Sequence, residues 1–149
     1  MKIYLAGPFF SAEQIARIER VEEALSNNST VTSYFSPRLS DENSQATAPE
    51  GSPAWAKQIF KKDVAEIDKA DALVVVADYV HANMDSGTAF EVGYAFNANK
   101  PIIVLQELVD EPLNLMIGQA AHYYTQNVNE ISTYNFNQLP ANEFTGKTF

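Results

Sequence analysis

The sequence predicts an α/β domain: one open parallel sheet of about five strands with helices on both faces, flavodoxin-like or Rossmann-like in plan. Three observations carry this reading. Short β-rich runs alternate with helical patterns along the chain. One run, Ala72 to Ala77 (ALVVVA), is apolar without a break, as a central parallel strand covered on both faces must be. Finally, 149 residues, 46% of them hydrophobic, suit one domain (1–149) with no internal repeat or linker. A chain of that size buries about two-thirds of its unfolded surface.

Lys2 to Ala6 (KIYLA) reads as a buried first strand, ended by Gly7-Pro8. Ser11 and Gln14 have capping-box spacing. Ile15, Ile18, Val21, Glu22 and Leu25 then follow with mostly helical periodicity, predicting a helix from 12 to 26. Val31 to Phe35 gives a second strand, stopped by Pro37. Residues 38–52 are rich in Ser, Asp, Asn, Glu and Pro and read as a surface loop, long enough to serve as an active-site lid. Pro53 opens a helix to Lys69, placed where its missing N–H costs least. After the ALVVVA strand, a loop leads to Asp85, an N-cap for a helix through Ala98. Ile102 to Leu105 is a fourth strand, Leu113 to Gln119 a short helix, and Ala121 to Tyr124 a short fifth strand. The tail from Asn127 is polar and aromatic and is expected to pack on the body or on a neighbour.

Composition narrows the function. There is no cysteine, which excludes disulfides, thiolate chemistry and Cys-ligated metal and suits a reducing cytoplasm. The start, MKIYLAGPFF, is too short an apolar run for a signal peptide. No apolar stretch approaches the roughly 20 residues that span a bilayer. A soluble cytoplasmic protein with no membrane partner is expected. A net charge of −9 disfavours nucleic acid, whose binding depends on Lys and Arg neutralising phosphates. A neutral small ligand fits better. His81 and His122 are too few and too far apart to suggest a metal site.

In parallel sheets ligands bind beyond the strand carboxyl ends, and unusual residues fall there. Glu91 lies in the second turn of the helix opened by Asp85, with Gly87, Thr88, Tyr94 and Ala95 at spacings of three and four. None can pair with it ionically. It is either a surface glutamate or a carboxylate with room beside it for a ligand, because Gly87 and Gly93 lack side chains. Asp85 is accounted for by capping alone. The pair is more suggestive: two carboxylates in different surroundings can serve as nucleophile and proton donor. In retaining glycosidases two such groups stand about 5 Å apart. Asp63 falls beside the apolar stripe of Ile59 and Ile67, where a carboxylate needs donors, a cavity, or Lys62 or Lys69 as partner.

These residues match a known pattern. KIYLAGPFF, KKDVAEIDKADALVVV, DSGTAFEVGYAF, EPLNLMIGQA, YNFN and the terminal FTGKTF resemble the nucleoside 2-deoxyribosyltransferase family over nearly the whole chain. The resemblance implies transfer of 2-deoxyribose between the nucleobases of 2′-deoxynucleosides and free bases, with retention at the anomeric carbon. It implies Glu91 as nucleophile, Asp85 as acid–base group, Tyr4 as the residue orienting Glu91, and Asp63 on the sugar hydroxyls. Phe10 would line the base pocket, with Gly87 beside the substrate. Asn114 and Met116 would serve a neighbouring subunit's site in a homo-oligomer, a hexamer or a smaller dimer-based assembly. No cofactor or metal is implied. The turn GPFF and the DSGTAFE wording stand closer to the purine-preferring branch than to the broad-specificity one.

Two rivals follow from the same residues. A nucleoside 5′-monophosphate N-glycosidase would use the same glutamate on water, but needs cations or a serine cluster for the phosphate; Ser11 follows the first strand, yet 3–12 and 78–99 contain no Lys or Arg. A non-catalytic nucleotide-sensing module is permitted by fold alone.

Overall fold

A computed structural model describes residues 1–42 and 47–149. The elements run β1 (Lys2–Ala6), α1 (Ala12–Ser26), β2 (Ser33–Phe35), α2 (Pro37–Glu42), α3 (Pro53–Lys69) and β3 (Ala72–Val76). They continue with α4 (Ser86–Asn97), β4 (Ile102–Leu105), α5 (Leu115–Ala120), β5 (Tyr123–Thr125) and α6 (Val128–Thr133). The strands form one parallel sheet in the order β2-β1-β3-β4-β5. The direction of winding reverses between β1 and β3, which opens a crevice at their carboxyl ends.

Strand alternation divides the core into two layers. Ile3, Leu5, Val74, Val76, Ile103 and Leu105 face α1 and α6, meeting Ile18, Val21, Leu25 and Ile131. Tyr4, Ala6, Leu73, Val75, Ile102 and Val104 face α3, α4 and α5, meeting Ile67, Val92, Ala95 and Ile117. That parity puts Tyr4 on the same side of the sheet as α4. Gly7 ends β1 where chains crowd: a Cβ there would lie 2.7 Å from Ile18 Cδ1 and 2.9 Å from Val76 Cβ. Only glycine fits.

The sequence reading needs two corrections. β2 is confined to Ser33–Phe35, and Pro37 opens the short helix α2 as well as ending the strand. A proline at the first helical position loses no intrahelical bond, so the same residue suits both tasks. The irregular segment expected over 38–52 therefore begins after Glu42; its residues 43–46 lie outside the described residues. The tail packs on the body, one of the two expected outcomes: it forms α6 and sends Ile131, Tyr134 and Phe136 into the core. Buried Asn28 anchors it, donating to the carbonyls of Ile131 and Tyr134 at 2.8 Å each. Phe136 is fully buried and meets Tyr134 edge-on at 4.8 Å. Phe136→Ala is expected to cost about 3–5 kcal/mol, as truncation of a buried aromatic does, measured as a lowered midpoint in urea denaturation.

The last residues return to the body. Leu113 N donates to Lys147 O at 2.8 Å and Leu115 N to Phe149 O at 3.1 Å, which brings the chain end beside the start of α5. Among the described residues no helix is long and apolar enough to cross a membrane.

Candidate active site

Helices that link parallel strands run back against them, so the N-termini of α1, α3 and α4 stand at the strands' carboxyl ends. Each start is capped. Gln14 N donates to Ser11 Oγ at 3.3 Å, Trp55 N to Ser52 Oγ at 3.2 Å, and Thr88 N to Asp85 Oδ2 at 2.8 Å. The predicted capping box closes differently from expectation. Gln14 Oε1 accepts from Phe10 N at 2.9 Å, which fixes the turn after β1 rather than the cap residue itself.

A cleft of about 360 Å³ lies among these starts, large enough for a small-molecule ligand. Asp63, Asp85, Gly87 and Glu91 line it, as does Phe10, whose ring is 67% exposed. The sequence reading missed further wall residues: Phe9, Pro37, Glu50, Trp55, Ile59 and Thr88. Phe9 and Trp55 had a usable signal, since each stands at a helix start on the carboxyl edge. No Lys, Arg or His is among the described residues lining the cleft. Gly93 lies away from it on open surface, so only Gly87 of the two glycines borders the acids.

Tyr4 Oη donates to Glu91 Oε1, joining β1 to α4. Behind Tyr4, Phe35 stacks at 5.5 Å and 23°. Burial pushes the Glu91 carboxyl up to about 7; the neighbouring charges of Asp63 and Asp85 push the same way, while the Tyr4 hydrogen bond opposes them. A carboxyl so raised, in a cleft and among other acids, is the usual mark of a working group. Asp85 does serve as N-cap, with Oδ2 accepting also from Thr88 Oγ1 at 3.0 Å, yet it lines the cleft as well. Capping and chemistry do not exclude each other. Asp63 borders the cleft with Oδ1 shielded from solvent, and Lys69 pairs instead with Glu66 at 2.6 Å.

Asn114 and Met116 do not line this cleft. Asn114 is the N-cap of α5, with Oδ1 accepting from Met116 N at 2.9 Å, and the Met116 side chain projects outward, 70% exposed. His122 bonds to Leu139 O at 2.8 Å and braces the tail. Among the described residues no group of three or more His, Cys, Asp and Glu is arranged to hold a metal ion.

A doubly wound α/β sheet with an acid-lined cleft at its switch point defines a class of small-molecule enzyme. Residues 3–133 match the family model for nucleoside 2-deoxyribosyltransferase. The chain belongs to the nucleoside 2-deoxyribosyltransferase family. It is 28% identical over 154 residues to a nucleoside deoxyribosyltransferase of Limosilactobacillus fermentum, covering 96% of this chain and 90% of that one. Among solved structures, the 2-deoxyribosyltransferase from Bacillus psychrosaccharolyticus superposes with a TM-score of 0.83 at 33% identity, over 97% of this chain and 99% of that one. A CMP N-glycosidase from Clostridium botulinum shares the fold, with a TM-score of 0.55 at 17% identity over 89% of this chain and 96% of that one.

Proposed function

We propose that this enzyme moves 2-deoxyribose from one nucleobase to another, with retention, through a covalent deoxyribosyl–Glu91 intermediate. The observation that carries the reading is a half-buried glutamate, tied to Tyr4, in one cleft with Asp63 and Asp85. In the first half-reaction a Glu91 oxygen bonds to the anomeric carbon as the bond to the base nitrogen breaks, and protonated Asp85 passes its proton to that nitrogen. In the second, an incoming base attacks the same carbon, gives its proton to Asp85, and frees Glu91. Two inversions give retention. Splitting one displacement into two lets the acceptor be chosen afresh. A carboxylate stripped of water is also a strong counter-charge for a sugar carbon that becomes positive in the transition state.

Asp63 is assigned to the sugar hydroxyls, Gly87 to the space beside them, and Phe10 to the base. Met116 and the capped Asn114, both outside their own cleft, are assigned to the site of a neighbouring copy in a homo-oligomer. The scheme calls for no cofactor and for partners that are deoxynucleosides and free bases. Among the described residues of the cleft wall a phosphate would meet acids and no cation, which speaks against the 5′-monophosphate hydrolase.

The test is incubation with a deoxynucleoside and a different free base, resolved by chromatography. A new nucleoside is expected. Free deoxyribose without a new nucleoside would overturn the transfer reading in favour of hydrolysis.

The pH dependence supplies a second check. Glu91 must be ionised to attack, so kcat/KM should rise with pH through about 7 in the free enzyme. Tyr4 stabilises the ionised form by donating a hydrogen bond. Tyr4→Phe is therefore expected to move that acid limb to higher pH, read from rate–pH profiles. A limb unmoved or lowered would contradict the role given to Tyr4.

A further inference from the structure

Glu22 is a charged residue on a helix face that packs against the sheet, and the scheme above does not use it. It is only 6% exposed. Its Oε1 accepts from Ser36 Oγ at 2.7 Å, and its Oε2 pairs with the Arg38 guanidinium, which also reaches Glu19 at 3.6 Å. Ser36 and Arg38 flank Pro37, and Pro37 lines the cleft. The residue before Ser36 is Phe35, the ring stacked on Tyr4. One carboxylate thus grips both sides of a corner that carries a wall of the cleft and the backing of the residue bonded to Glu91.

We propose that Glu22 is a positioning residue: by clamping Ser36 and Arg38 it holds Phe35 against Tyr4, and through Tyr4 fixes the Glu91 carboxylate for attack. This rests on the role assigned to Glu91 above. The bridging logic is mechanical. A buried ion pair contributes little net stability against an apolar substitute, but it restricts geometry, since a bidentate contact tolerates few arrangements. Corner residues with no clamp would let Phe35 retreat and the Tyr4 hydroxyl lose its line to Glu91.

The sign of the effect separates this from a direct field. Removing the charge of Glu22 leaves Arg38 less neutralised, which through space would lower the Glu91 pKa. Loosening the Tyr4 hydrogen bond raises it. The groups facing Glu91 are Tyr4 from β1, Asp63 from α3 and Asp85 at the start of α4. None of these three residues is itself replaced in Glu22→Gln.

The experiment is a carbon-13 NMR titration of glutamate side chains in full-length wild type and Glu22→Gln, with the Glu91 signal assigned through Glu91→Gln. Ser36→Ala and Phe35→Leu are titrated in parallel, so that one misfolded variant leaves the others to decide. The Glu91 midpoint is expected to rise by about half a pH unit or more in each. Steady-state transfer should then fall several-fold more at pH 6 than at pH 8. A midpoint that is unchanged or lowered would overturn the clamp, even if stability drops. Because the titration needs no turnover, it judges the clamp separately from whether wild type transfers deoxyribose at all.

Discussion

Glu91→Ala is expected to lower the rate of base exchange by on the order of 10⁴- to 10⁶-fold, the scale on which enzymes lose activity when a covalent nucleophile is removed. The variant should remain folded. Glu91 lies in the second turn of α4 at the wall of an open cleft, and it is not one of the side chains that fill the two apolar layers. Exchange is measured with a deoxynucleoside and an unrelated free base, and near-wild-type turnover would remove the nucleophile from the scheme. A companion measurement uses stability. The Glu91 carboxyl is raised in the folded state from 4.5 to about 7, so between those values the folded protein holds more protons than the unfolded chain. Stability due to this group must then fall as pH rises through that window, and the whole cost is present above it. Glu91→Gln keeps an acceptor for Tyr4 but no charge. It should therefore melt higher than wild type at pH 8 and close to it at pH 4. Equal melting at both values would mean that the carboxylate is not destabilised by burial, and the explanation of its raised pKa would fail.

Much of this architecture was legible beforehand because its signals are local. The helix Pro53–Lys69 is bounded by a proline that suits a first turn and by a lysine before Ala70. The run Ala72–Val76 can only be a buried strand, and Asp85 stands where a cap is needed. What stayed hidden depends on contacts distant in sequence. Helix α6 is short and polar, and it is held by contacts distant in sequence: the burial of Ile131 beside α1 and the Asn28 hydrogen bonds to the Ile131 and Tyr134 carbonyls. Pro37 was legible as a stop but not as a start. Ile59 comes to the cleft because α3 runs back over the sheet, which a linear reading cannot show residue by residue. Glu22 falls within the helical periodicity of α1, and nothing local marks it as buried or paired. Its partners, Ser36 and Arg38, lie 14 and 16 residues away on a corner whose direction is set by the fold. The acids of the cleft were the easier part, since Glu91 and Asp63 each sat among residues that do not suit a solvated charge.

Asp85→Asn should separate the two tasks of that residue. Asparagine caps helices about as well as aspartate, so Thr88 N keeps an acceptor and the melting temperature should hardly move. What asparagine cannot do is give up a proton. A natural base leaves as an anion unless it is protonated, and general acid catalysis of that kind is worth about 10²–10⁴-fold. The variant should lose that much with ordinary deoxynucleosides. A 7-methylated purine deoxynucleoside already carries the positive charge, and its base departs neutral without an added proton. With that donor the loss should shrink to about 10-fold or less, because Glu91 attack remains and only the acid step has become unnecessary. The comparison is made by following release of each base during the first turnover. Equal losses with both donors would show that Asp85 positions the substrate or shapes α4 without supplying the proton, and the acid would have to be sought among Asp63 and Glu50, the other carboxyls on the cleft wall.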